Sequence, residues 1–215
     1  MIHVNRAEKL LEFEEFTKKN KTTGWNEFSR PKGETHELYL KCRELLLAQQ
    51  NGLSAYTEKD LGDKELHIDH YRKRDLFPEL KFEWNNLIVD ERNNDEYGAG
   101  HKDKIVKDKA DYELLINPVD EDPTDFLTYQ INGEIIPKAN LKESDKARAE
   151  FTIKAFNLNA SSLKETRSVL SSIVRDYSCL DAQTIKGALA SRGFTTFVDF
   201  LLENKCYLDY NNGAR

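Results

Sequence analysis

The chain has 215 residues, 39% hydrophobic and 33% charged, the composition of a folded protein with a very polar surface rather than a disordered segment. Its 32 lysines and arginines against 38 aspartates and glutamates leave a formal charge of -6, which argues against a protein that grips nucleic acid over a broad surface by itself. No run of about 18 apolar residues occurs, and the opening "MIHVNRAEKLLEFEEF" turns acidic where a secretion signal needs an apolar stretch, so the expected place is the cytoplasm, away from membranes.

In chain order, residues 6–20 read as an amphipathic helix, with Leu10, Leu11, Phe13 and Phe16 on one stripe. After a turn-rich loop, "ETHELYLKCRELLLAQQNG" predicts a second helix with Leu38, Cys42, Leu45, Leu46 and Gln49 on its inner face and Gly52 as a left-handed cap. "LSAYT" and "ELHIDH" then read as a short hairpin around Gly62 and Asp63, and Trp84 to Asp95 as a helix, giving the order strand, strand, helix. "FLTYQINGEIIPK" predicts a second hairpin with Asn132-Gly133 as a type I′ turn, because both central positions of that turn need positive φ. The last third predicts four amphipathic helices packed on what precedes them. The fold class is therefore α+β and mostly helical, divided as N-terminal helices (1–52), a central module with its following hairpin (53–140) and a helical C-terminal subdomain (141–215). Cys42, Cys179 and Cys206 are odd in number and far apart, so they read as buried thiols and not as a disulfide framework or zinc set.

The densest chemistry lies at "HIDHYRKR", residues 67–74. Phosphodiester hydrolysis needs a base for water, a cation against the developing charge and groups that align both. His70 can be neutral near pH 7, Asp69 is a hard carboxylate, and the amides of Asn86 and Asn94 can orient or coordinate. Because a strand alternates faces, Asp69 and His70 can serve one site only if the strand ends or bends there.

These residues resemble the HNH endonucleases, in particular the PtuB branch found in Septu and retron-associated anti-phage systems. That family carries a C-x-x-C knuckle, an acidic residue before a histidine, an Asn-Leu pair after a tryptophan, and a second C-x-x-C followed by Asn and Lys-Gly. Here those positions read Ser54 and Thr57, Asp69-His70, Trp84 with Asn86-Leu87, then Asp90 and Asn93, Asn94 and Tyr97-Gly98. "LLAQQNGLSAY", "LLINPVDEDPTDFLTYQINGEIIPK" and "TIKAFNLNASSLKETR" are similar to family segments, so the likeness spans roughly residues 38–170. All four cysteine positions have changed together, as a knuckle lost as a unit requires.

The resemblance implies a ββα-metal module without structural zinc. It implies His70 as general base, Asn86 as the brace of the loop and histidine, and Asp69 and Asn94 as ligands of one Mg²⁺ or Mn²⁺ ion. His67 is a further ligand candidate, and Asp95 is the reserve for Asn94. Arg72, Lys73 and Arg74 follow the base and are the expected phosphate contacts, although solvated charge is the commoner explanation of such runs. The implied partners are a nucleic-acid substrate, DNA by default and RNA as an alternative, a PtuA-like ABC/SMC-type ATPase, and for retron-linked members a reverse transcriptase with its RNA–DNA product. A non-catalytic partner-binding module descended from an HNH fold is the competing expectation.

Overall fold

The computed structural model describes residues 1–6, 8–20 and 22–204. Among them no helix is long and apolar enough to cross a membrane. Three N-terminal helices, α1 (Leu11–Lys19), α2 (Trp25–Phe28) and α3 (His36–Gln49), precede an antiparallel pair, β1 (Leu66–His70) and β2 (Leu87–Glu91), and then α4 (Gly98–Ile105). A second antiparallel pair, β3 (Leu127–Tyr129) and β4 (Ile135–Pro137), leads to α5 (Glu143–Ala155), α6 (Ser161–Asp176), α7 (Ala182–Leu189) and α8 (Thr195–Glu203). The architecture is α+β with helix predominating, and the four C-terminal helices fall where the sequence predicts them.

Helix α3 organises the first sheet. Tyr39, Cys42 and Leu46 are its buried residues, a face rotated from the predicted one, in which Leu38 and Leu45 are only half-buried. Beyond its end, the Gln50 side-chain amide donates to the Val89 carbonyl at 2.8 Å and accepts from the Val89 N–H at 2.7 Å, so it pairs with the outer edge of β2 as a strand would. Arg6 donates to the Leu87 carbonyl on the same edge. On the opposite edge, the Ile68 N–H meets the Tyr39 hydroxyl and Arg43 donates to the Leu66 carbonyl. Gly52, at φ +76°, turns the chain out of α3 as its cap position requires.

Three expectations are corrected. Strand β1 pairs not with residues 53–57 but with β2, in the register Ile68 opposite Val89 and His70 opposite Leu87; Leu53 and Asp60 make only an isolated bridge. The predicted helix from Trp84 is a single 3₁₀ turn, Trp84–Asn86, followed by β2. "LIVD" is buried on both faces, so it lacks the alternation that announces a strand, and its β-branched residues suit the pleat. The hairpin at 126–138 forms, but within its turn Gly133 alone has positive φ; its N–H closes the turn on the Gln130 carbonyl, one residue earlier than the predicted type I′ turn, with Asn132-Gly133 central, would close.

The cores cross the predicted domain boundaries. Met1, Ile2 and Val4 pack in one cluster with Tyr56, Ile88 and α5, while Tyr97 joins the cluster of α6, α7 and α8. The N-terminal aromatics Phe13, Trp25 and Phe28 pack on Ile68, Trp84 and Leu87 of the sheet. Cys42 is buried, its thiol pushed up to about 12 by burial. Cys179 is exposed, against expectation, and Cys206 lies outside the described residues.

Candidate functional site

Strand β1 ends at His70, and a cleft of about 400 Å³ opens at that end, lined by His67, Asp69, His70, Lys73, Arg74 and Asp103 among others. Termination of the strand lets Asp69 and His70, which leave it on opposite faces, border one space.

His70 is held from two sides. Its Nε2 lies 2.9 Å from the Lys81 carbonyl. A carbonyl only accepts, so Nε2 carries the proton and Nδ1 is left as the acceptor. The indole of Trp25 meets the imidazole edge-on at 4.3 Å. Burial pushes the imidazole down to about 4, with Arg74 and Lys102 adding to the effect and the Lys81 carbonyl and Asp69 opposing it. The ring is therefore neutral at pH 7. Asn86 acts as a brace: its Oδ1 accepts from the Arg72 N–H at 2.7 Å, and its Nδ2 donates to the Arg72 and Leu80 carbonyls at 3.1 and 3.2 Å. These bonds fix the loop after His70 without touching the imidazole.

Asp69 faces the other way. Its Oδ2 accepts from the Tyr56 hydroxyl at 2.7 Å and from the Lys102 ammonium at 3.0 Å. Lys102 is fully buried and also donates to the His70 and Tyr71 carbonyls at 2.9 and 3.1 Å, with Asp103 Oδ1 at 3.3 Å. Burial works against each charge, yet the pair keeps both: the carboxyl of Asp69 lies below its ordinary value and the Lys102 ammonium above its own.

The predicted metal set does not assemble. His67 and Asp69 share a strand face and the cleft, and His67 Nδ1 is buried with no hydrogen-bond partner. Asn94, however, caps a turn, donating to Glu91 and accepting from the Glu96 and Tyr97 N–H groups, and it does not border the cleft. Its reserve, Asp95, pairs with Lys104. The Lys102 ammonium stands beside Asp69 where the ion was expected, so Mg²⁺ or Mn²⁺ does not fit this donor set, and among the described residues no three His, Cys, Asp or Glu side chains converge as a metal centre would need.

The three basic residues separate. Arg72 lies over the Phe77 ring, its guanidinium carbon 5.4 Å from the centroid. Lys73 borders the cleft but donates to the Asp103 and Val106 carbonyls at the end of α4. Arg74 stays exposed at the rim, bonded to Asn26 Oδ1 at 3.0 Å. At the positions that the resemblance aligns with the family's cysteines, Asp90 is buried and accepts from the Ala99 N–H at 2.9 Å and from Ser54, while the Ser54 hydroxyl also accepts from the Thr57 N–H. Asn93, the expected fourth position, is exposed in a turn at φ +59°. The Ala99 N–H, at the start of α4, takes its place in this polar knot.

Lys102, Tyr56 and Trp25 are the site residues that sequence reasoning missed. Lys102 stands in "HKDKIVKDK", where nothing distinguishes the one lysine that turns inward. Trp25 stands in a loop-like stretch outside the resembling region. No family model matches the chain, and no curated protein is significantly similar to it in sequence.

Proposed function

We propose that the cleft at the end of β1 hydrolyses nucleic-acid phosphodiesters, in an HNH-type nuclease acting as the effector of an anti-phage system beside a PtuA-like ATPase. The observation that carries this reading is the fixed tautomer of His70, whose free Nδ1 acceptor belongs to a neutral imidazole at the border of a polar cleft. Water loses a proton to Nδ1, its oxygen bonds to phosphorus, the bond from phosphorus to the sugar oxygen breaks, and that oxygen takes a proton from solvent. Arg74 at the rim supplies charge to the phosphate. The order β1, β2, α4, and Asn86 bracing the loop after His70, also support the family reading.

A second reading, a non-catalytic binding module of the same descent, is favoured by the salt bridge of Lys102 to Asp69, which occupies the carboxylate that the resemblance assigns to a metal. The chain, purified alone and with its encoded neighbours, is to be assayed on single- and double-stranded DNA and on structured RNA. Cleavage that falls at least about a hundredfold in His70→Ala supports the nuclease. Equal behaviour of wild type and His70→Ala, in cleavage and in phage challenge, supports the binding module.

A further inference from the structure

Four oxygens surround the Lys102 ammonium within 3.3 Å: Asp69 Oδ2, Asp103 Oδ1 and the carbonyls of His70 and Tyr71. Two carboxylates and two carbonyls are the oxygen set a divalent ion prefers. Their spacing is that of N–H···O bonds, however, because oxygen sits at about 2.0–2.1 Å from Mg²⁺ and 2.3–2.6 Å from Ca²⁺. The stem of Lys102 is wholly buried, and its ammonium lies 5.9 Å from the centroid of the Tyr56 ring. Turning it out would strand Asp69, which is 7% exposed, without its counter-charge. Because the ammonium has no exposed surface, it acts on Asp69 and on the backbone at the end of β1, and not on a ligand in the cleft.

We propose that Lys102 is the resident cation of this site: its ammonium fills the oxygen cage beside Asp69 that a divalent ion would otherwise occupy, so the protein works without a divalent ion there. Lys102 is thus a positioning residue that sets the charge and placement of Asp69. The cage is intrinsically able to hold a metal once the lysine is removed. The assignment rests on the hydrolytic reading only where cleavage is the readout.

The test is a Mn²⁺ and Ca²⁺ titration of the full chain, followed by calorimetry and thermal unfolding, on wild type, Lys102→Ala, Lys102→Met and Lys102→Arg. Wild type and Lys102→Arg are expected to bind neither ion and to unfold at the same temperature in metal or chelator. Lys102→Ala is expected to unfold earlier in chelator and to recover with Mn²⁺ or Ca²⁺, binding one ion where wild type binds none. Lys102→Met, which keeps the stem filled, should lose stability and recover little. A merely structural lysine would give no such recovery by metal.

A single Mn²⁺ bound by wild type and lost in Asp69→Asn overturns the proposal, as does a folded Lys102→Ala that gains no metal. If Lys102→Ala does not fold in either condition, the wild-type titration and Asp69→Asn decide. Cleavage by wild type that survives chelator supports the proposal. Cleavage abolished by chelator and restored by Mn²⁺ overturns it while leaving the hydrolytic reading intact. Absence of cleavage in every condition removes that reading and leaves the metal titration to decide this one.

Discussion

The imidazole of His70 is 6% exposed and held near 4, against 6.5 for the unperturbed group. A depressed histidine stabilises the fold where both states are neutral, above about 6.5. The unfolded chain takes up the proton first, so that contribution is lost as pH falls from about 6.5 to about 4, roughly 3 kcal/mol in all. Asp69, with its folded value lowered, loses its contribution only at lower pH, as its carboxylate protonates. Urea midpoints at pH 7 and pH 4.5 should therefore differ less in His70→Phe than in wild type, and equal differences would show the imidazole to be solvated. The motif made His70 visible in the sequence, but its burial under Trp25 was not, because a four-residue helix in a loop-like stretch gives no periodic signal.

At the scale of elements, the turn around Asn86 and the hairpin around Gly133 are each held by local geometry. Asn86→Ala removes the partners of one N–H and two carbonyls in a buried position. The expected loss is about 2–3 kcal/mol, with the cleft disordered before the rest, and hydrogen exchange at residues 71–81 checks it. Gly133 has φ +84°, and a Cβ there would stand 2.7 Å from the Cβ of Arg167 and 3.0 Å from the Lys164 carbonyl. Gly133→Ala should accordingly cost about 2–4 kcal/mol in thermal or urea unfolding, more than backbone strain alone. The sequence reveals this hairpin through its Asn-Gly pair and the C-terminal helices through their periodicity. It misassigns β2, because a run buried on both faces has no period to read, and it announces no helix at α4, because "GAGHKDKI" has almost no apolar stripe.

Across the whole molecule, the buried carboxylate of Glu58 ties together parts distant in sequence. It pairs with the Met1 ammonium, accepts from the Tyr129 hydroxyl at 2.8 Å and accepts from the Thr196 N–H at 2.9 Å at the start of α8. Burial opposes its charge, but the ammonium and the Thr196 bonds hold the carboxyl below its ordinary value. Glu58→Gln should cost about 3 kcal/mol and, in limited proteolysis, free the C-terminal helices earlier than the first sheet; a single unchanged transition would contradict this role. Composition suggests one or two closely packed units, and one core cluster joins Met1 and Ile2 to α5, far along the chain.

The two rims of the first sheet carry a consequence for partners. Gln50 and Arg6 answer the outward groups of β2, and Tyr39, Arg43 and Lys102 those of β1. A visiting polypeptide therefore meets side chains already bonded along much of both edges, which opposes strand addition by another protein and edge-to-edge self-association at this sheet. Docking on this face is accordingly expected to rely on side chains.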